Sequence, residues 1–187
     1  MNTTLSTLVL DFNVTLRSDG IEALCKGIST NSTLKKLSLK HCNIDEKGGE
    51  PIANMLKFKK LGLISLDLTC NQLCGIGLAD ICIGLMQNTS LKTFRLADNQ
   101  VGQSEPDVKA LELFSNVLVK HPALIAVDLL HNKIGTKGGA LLVPCVRENK
   151  QITTFKVDSN MDDEIYKELF RVCQPKKASK KKSKKKK

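Results

Sequence analysis

The stretch Leu63-Ile64-Ser65-Leu66-Asp67-Leu68-Thr69-Cys70-Asn71 decides how this chain folds. Leucines stand at 63, 66 and 68, and an asparagine closes the run. The same spacing returns as Leu5-Leu8-Leu10-Asn13, Leu34-Leu37-Leu39-Cys42, Leu91-Phe94-Leu96-Asn99, Leu124-Val127-Leu129-Asn132 and Ile152-Phe155-Val157-Asn160. Successive starts are 29, 29, 28, 33 and 28 residues apart. A period of that size is the mark of a solenoid.

Each unit carries two apolar periods. The first alternates over a few residues, the pattern of a short strand with one buried face. The second follows a short loop and reads Gly20-Leu24-Ile28, Gly48-Ile52-Leu56, Gly77-Ile81-Leu85 and Gly138-Leu142-Val146. Steps of four put those side chains on one helix face. Strand and helix joined in series predict a curved parallel sheet with helices along its outer side. Neither element buries its apolar face alone, so the neighbouring unit completes the core.

The residues between these periods fit the same plan. The asparagine closing each strand run is expected to bond backbone groups in the turn, with Cys42 in its place in the second unit. Asn31, Asn88 and Asn149 each precede the next strand's first apolar residue by three positions, and they are read as left-handed helix ends. The fourth unit is longer. Its polar stretch Gly102 to Lys109, containing Pro106, is expected to bulge as a loop, either a tolerated insertion or a partner contact. The sixth unit is short: Ile165, Leu169 and Cys173 share a helix face that ends at Pro175, a C-terminal cap.

This pattern resembles the leucine-rich-repeat family in its ribonuclease-inhibitor-like subtype, over roughly residues 5–173. Leu63 to Asn88 and Leu124 to Asn149 carry it most fully. The resemblance implies an α/β horseshoe of about six repeats, with a parallel sheet on the concave face and helices on the convex face. It also implies a binding scaffold without enzymatic activity or cofactor, because function is grafted on such folds through their surfaces.

Composition divides the chain in two. Of 187 residues, 1–175 are read as one solenoid domain and 176–187 as a disordered polylysine tail. The tail holds Lys176, Lys177, Lys180, Lys181, Lys182, Lys184, Lys185, Lys186 and Lys187. The net charge of +10 is almost entirely this segment, since the remainder has 20 basic against 19 acidic side chains once those nine lysines leave the total of 29. Its attraction to an anionic surface is electrostatic and salt-sensitive. Acidic tubulin tails, nucleic acid, an anionic membrane and a nuclear-import receptor all match it, although no aromatics interleave the lysines to stack on bases. No apolar run approaches ~20 residues, so no transmembrane segment is expected. No signal peptide is visible in the opening residues. Seven cysteines scattered through strands and helices suit a reducing, intracellular compartment.

In a solenoid, equivalent strand positions stack about 4.8 Å apart, so outward-facing residues read as columns. One column is Val9, Ser38, Asp67, Arg95, Asp128, Lys156; its signs alternate from Asp67 onward. It is either a self-neutralised ladder or a mixed-charge recognition strip. Lys35, Lys36 and Lys40, the last two in the flanking columns, give the second repeat a basic spot. Lys36, Lys40, Asp67, Arg95, Asp128 and Lys156 are therefore the candidate partner-binding residues of the concave face. No aromatic row reinforces them, although hot spots favour Trp, Tyr and Arg.

A further column, Phe12, His41, Cys70, Asp98, His131, Ser159, holds four metal-capable groups. His41 and His131 are three steps apart, roughly 15 Å, while ligands of one zinc lie ~2.0–2.3 Å from it. Parallel side chains also fail to converge as a nucleophilic triad, and no oxyanion hole is evident. No catalytic or metal site is assigned.

The first strand begins within a few residues of Met1, so its edge is expected to lie open, and open edges invite pairing. The expected partners are proteins, on the concave face or at this N-terminal edge, within a multi-protein complex. Small proteins of this repeat type resemble subunits of ciliary axoneme complexes, which implies a cytoskeletal scaffold with its tail on tubulin, and also nucleolar repeat proteins, which implies a nuclear address. The alternative is a regulator of an enzyme, of GTPase-activating or inhibitor type. Tropomodulin, an actin cap, ends in a comparable solenoid, but its actin-binding segment finds no counterpart in these residues.

Overall fold

A computed structural model describes residues 2–171. Cys173, Pro175 and the lysine tail lie outside the described residues. Six three-residue strands alternate with six helices: β1 Thr7–Val9, α1 Arg17–Ile28, β2 Lys36–Ser38, α2 Gly49–Leu56, β3 Ser65–Asp67, α3 Cys74–Leu85, β4 Thr93–Arg95, α4 Glu105–Lys120, β5 Ala126–Asp128, α5 Gly135–Glu148, β6 Thr154–Lys156 and α6 Asp163–Phe170. A 3-10 turn, Glu46–Gly48, leads into α2. The strands form one parallel sheet in the order β1-β2-β3-β4-β5-β6. Its register sets Val9, Ser38, Asp67, Arg95, Asp128 and Lys156 side by side, the column expected from the repeat spacing.

The leucines of the strand motif turn away from that column and are buried: Leu37, Leu66, Phe94, Val127 and Phe155 are each at most 2 % exposed. They meet Ile21, Ile52, Ile81, Leu111 and Leu142 from the helices. Curvature follows from spacing. Strands repeat at about 4.8 Å and packed helices at about 8–10 Å, so the sheet takes the inner, shorter arc. Glycine keeps the helical arc tight where α2 meets α3. A Cβ on Gly49 would stand 2.6 Å from the Gly77 Cα, so those backbones touch.

The turn asparagines form a buried ladder. Asn71 Nδ2 donates to the carbonyls of Leu39 (2.9 Å) and Leu68 (2.8 Å), while its Oδ1 accepts from the Cys42 and Ile44 amides at 3.1 Å. Asn99 donates to Leu68 and Ala97, and Asn132 to Leu96 and Leu129. Each asparagine thereby reaches back into the preceding repeat and satisfies carbonyls that the short strands leave behind. Cys42 substitutes with a thiol contact to the Leu10 carbonyl at 3.1 Å.

Two expectations are corrected. Asn31, Asn88 and Asn149 are absent from the residues with positive φ. They act instead as side-chain acceptors: Asn31 Oδ1 accepts from Thr33 and Leu34, and Asn88 Oδ1 from Ser90 and Leu91. The polar stretch of the fourth unit is only partly a loop: Gly102 to Ser104 lie outside regular structure, and the rest is helix. Glu105 to Lys109 form the first turns of α4, the longest helix at 16 residues. Ser104 and Asp107 make a capping box there, with Pro106 in the first turn, where a missing N–H costs nothing. Asp107 is buried and also accepts from the Gly75 amide of the preceding repeat at 2.8 Å. The extra residues thus dock on α3.

Candidate interaction surface

The sheet's exposed columns hold the six candidate residues. Asp67 is their centre. Lys40 Nζ and Arg95 Nη1 each lie 3.5 Å from its Oδ2, and its Oδ1 accepts from the backbone and hydroxyl of Thr69. Its side chain is only 8 % exposed, whereas those of Lys40 and Arg95 are 42 % and 44 % exposed. Lys156 pairs with Asp128 in the same way at 3.4 Å, again with the cation outermost. Arg95 turns toward Asp67, and Lys40 joins from the next column, so the alternating strip resolves into a triad and a pair. Lys36 is exposed one column away.

The consequence is a layered electrostatic surface. Carboxylates sit beneath, held by backbone and hydroxyl donors; guanidinium and ammonium groups stand above. Lys40, Arg95 and Lys156 stand over two carboxylates, Asp67 and Asp128, so cationic donors are the outermost groups of these pairs. Pairs whose cations are this exposed contribute about 0.2–1 kcal/mol each to the fold.

The metal-capable column has a backbone explanation. Phe12, His41, Cys70, Asp98 and His131 all have left-handed backbone, with φ of 64°, 52°, 57°, 52° and 60°. Each marks the turn leaving its strand, a position that Asn, Asp and His tolerate better than most residues. Burial first, and the Asp98 carboxylate next, push the Cys70 thiol up, so it is a poor nucleophile. Among the described residues no three His, Cys, Asp or Glu side chains are grouped to hold a metal ion. Cys25, Cys42, Cys70, Cys74, Cys82 and Cys145 are free thiols. Burial pushes Cys25 and Cys145 up to about 12, and Cys82 upward as well. Among the described residues no helix is long and apolar enough to cross a membrane.

One residue with a specific role was overlooked. His121 is 3 % exposed and fills the position of Asn31, Asn88 and Asn149 in the fourth repeat. Its Nδ1 accepts from the amides of Ala123 (3.2 Å) and Leu124 (3.1 Å), copying an asparagine oxygen. The signal was present, because His121 precedes Leu124 by the same three positions. Burial lowers its pKa to about 4.

The geometry is that of a repeat solenoid presenting a sheet. A family model for the leucine-rich repeat matches residues 2–25, 30–53 and 87–104. Mouse ribonuclease inhibitor is 31 % identical over 127 residues, covering 67 % of this chain and 26 % of its own length. The mouse NACHT, LRR and PYD domains-containing protein 12 is 30 % identical over 66 % of the chain, and the human centrosomal protein of 78 kDa is 24 % identical over 65 %. The chain spans about a quarter or less of these relatives. Among solved structures, the C-terminal domain of Caenorhabditis elegans tropomodulin superposes with a TM-score of 0.65 at 14 % identity, covering 79 % of this chain and 86 % of that one. Actin-binding site 2 of leiomodin-1 superposes with 0.58 at 15 % identity, covering 91 % and 80 %. This chain belongs to the leucine-rich-repeat family, in its ribonuclease-inhibitor-like subtype. Its fold is a solenoid of about six repeats, an architecture used mainly for protein–protein interaction.

Proposed function

We propose that this chain is a non-enzymatic scaffold of a cytoskeletal assembly, binding a protein partner on its concave sheet and a polyanion through residues 176–187. The observation that carries the reading is the layering on the sheet. Lys40, Arg95 and Lys156 are held outermost by Asp67 and Asp128, with Lys36 exposed beside them. Such a surface favours an acidic or carbonyl-rich segment, which pairs with donors already positioned. Asp67 and Asp128 set the cations' positions. The free cysteines fit an intracellular, reducing location. Likeness to actin-binding and centrosomal proteins supports the cytoskeletal assignment over a nuclear one, and an axonemal microtubule supplies the acidic tails that the lysines favour.

Co-sedimentation tests both halves. Full-length chain, chain lacking residues 176–187, and the Lys40→Ala/Arg95→Ala/Lys156→Ala variant are spun with microtubules and with microtubules whose acidic tails have been cleaved. Tail-dependent, salt-sensitive pelleting that disappears on cleaved microtubules is expected. Pelleting unchanged by tail deletion overturns the anchor. Axonemal extract passed over the immobilised chain then reads the concave face: retained filament-associated proteins must be lost with the triple variant. The similarity to ribonuclease inhibitor favours a second reading, an enzyme regulator, which a retained nuclease or GTPase would establish instead.

A further inference from the structure

His121 has a donor to spare. Its Nδ1 accepts from the amides of Ala123 and Leu124, so the proton of the neutral ring sits on Nε2. That N–H is buried and has no acceptor among the described residues. The asparagines at the same position of other repeats use both of their polar groups. Asn88 Nδ2 donates to the Leu56 carbonyl at 3.1 Å, and Asn149 Nδ2 to the Leu118 carbonyl at 2.7 Å. Beside His121 a cavity of about 120 Å³ opens between the ends of α3 and α4, against Leu85, Met86, Asn116, Val117 and Lys120. A buried donor without a partner is costly, so the cavity favours an occupant that accepts a hydrogen bond.

The lining limits what fits. A protonated Nε2 offers no lone pair, so the ring is no metal ligand. Lys120 places a cation at the rim, and no acidic side chain lines the cavity. The helix-end carbonyls that would repel an anion are already bonded: Gly84 and Leu85 accept from the Asn88 amide, Val117 from the His121 amide and Leu118 from Asn149. The cavity therefore suits a carboxylate. Met86, 56 % exposed at its mouth, also ends an apolar stripe. Ile76 and Ile83 of α3 are 54 % and 42 % exposed. Their spacing puts all three on one side of the helix, over about 15 Å. The flanking helices are polar there: α2 exposes Glu50 and Asn54, and α4 exposes Lys109, Glu112 and Asn116.

We infer that this corner of the helical side is a docking site for a protein partner. An acidic side chain of the partner enters the cavity and accepts from His121 Nε2–H beside Lys120, while apolar residues of the same segment cover Met86, Ile83 and Ile76. The carboxylate oxygen supplies to His121 what the Leu56 and Leu118 carbonyls supply to the asparagines. Two amides hold the ring from its other nitrogen, so the donor is fixed before the partner arrives. Lys120 strengthens the bond by charge, and the stripe adds affinity through apolar burial. The site lies away from the charged columns of the sheet and is independent of the concave-face reading.

Nuclear magnetic resonance of the full chain, with nitrogen-labelled histidines, tests it. The signal read is His121 Nε2, against His41 and His131 as controls. The probes are butyrate and short capped amphipathic peptides with a leucine face and one glutamate, in the first turn or in the last. Glutamine twins of the peptides control for charge. Butyrate is expected to shift His121 Nε2 saturably and to leave His41 and His131 in place. One glutamate peptide should bind at least roughly tenfold more tightly than butyrate, the gain from burying about one apolar side chain. Lys120→Glu should weaken both probes, and Ile83→Ser/Met86→Ser the peptide alone; amide spectra check that both variants are folded. A His121 Nε2 signal unmoved by every probe means an ordered water only, and overturns the inference. Peptides no tighter than butyrate overturn the partner, leaving a site for small free carboxylates. Glutamine twins that bind as tightly as the glutamate peptides overturn the choice of an acid.

Discussion

His121 should make this solenoid acid-sensitive in a way its neighbours do not. Its Nδ1 must stay unprotonated to accept from Ala123 and Leu124, so folding favours the neutral ring. The folded pKa is about 4, below the ordinary 6.5. An unfolded chain therefore binds the proton first as pH falls, and stability present above 6.5 is lost between 6.5 and 4. From those two values, the loss between pH 7 and pH 5 is about 2 kcal/mol. That corresponds to roughly 1 M in urea midpoint. His121→Asn replaces the ring nitrogen with the oxygen used in the other repeats, and it cannot titrate. The assay is urea unfolding by circular dichroism at pH 7, 6 and 5 on wild type, His121→Asn, and the exposed control His131→Asn. Carboxylate effects common to all three cancel in the differences. The wild-type midpoint should fall relative to His121→Asn as pH drops, in step with His131→Asn. Parallel curves for wild type and His121→Asn would refute the claim that a neutral ring is built into the turn.

Other substitutions probe the scaffold. Asn132→Ala removes two donors and leaves the buried amides of Asn99 and Val101 without their acceptor, so unfolding should cost about 2–4 kcal/mol less in the variant by denaturant titration. Asp107→Ala breaks the capping box and strands the Gly75 amide; a loss of about 2 kcal/mol is expected, with protection of the α4 first turn falling in hydrogen exchange. Gly135→Ala forces φ of +66° on a residue whose Cβ would lie 2.6 Å from the Gln103 side chain, which should lower the melting temperature by several degrees. Cys70 and Cys74 should react with a thiol reagent well before Cys25, Cys82 and Cys145, whose buried thiols are pushed far up; uniform labelling of the folded chain would contradict the core assignment.

What the sequence made legible follows from where the physics is local. Strand columns and helix faces were readable because periods of two and about 3.6 fix which side chains share a face. The asparagine ladder was readable in kind, since a turn inside a stack has carbonyls to satisfy. What escaped depended on contacts between repeats. Gly102 to Lys109 looked like a loop because polarity and proline were read without the Ser104–Asp107 cap, whose second carboxylate oxygen is claimed by Gly75 from the repeat before. His121 escaped because residue identity was compared where only an acceptor at that point in space mattered. On the concave face the sequence placed every charge in its column, but not their depths. That Asp67 lies beneath Lys40 and Arg95 is settled by the Thr69 donors under it.

That depth order changes what the surface can select. Were the strip a flat alternation of exposed charges, any partner with the inverse alternation would match it, and swapping one sign would cost little. With the carboxylates sunk, Asp67→Asn should act chiefly through Lys40 and Arg95. They lose their tether and gain freedom, so the surface becomes more basic by one charge but less ordered. A partner that reads donor positions should then bind more weakly despite the extra positive charge, with the loss appearing mainly in the dissociation rate. A partner drawn only by net charge should bind more tightly, through a faster association that salt abolishes. Surface-plasmon kinetics of wild type and Asp67→Asn at two salt concentrations separate the cases. Faster association with unchanged dissociation would show that the layering plays no part in recognition.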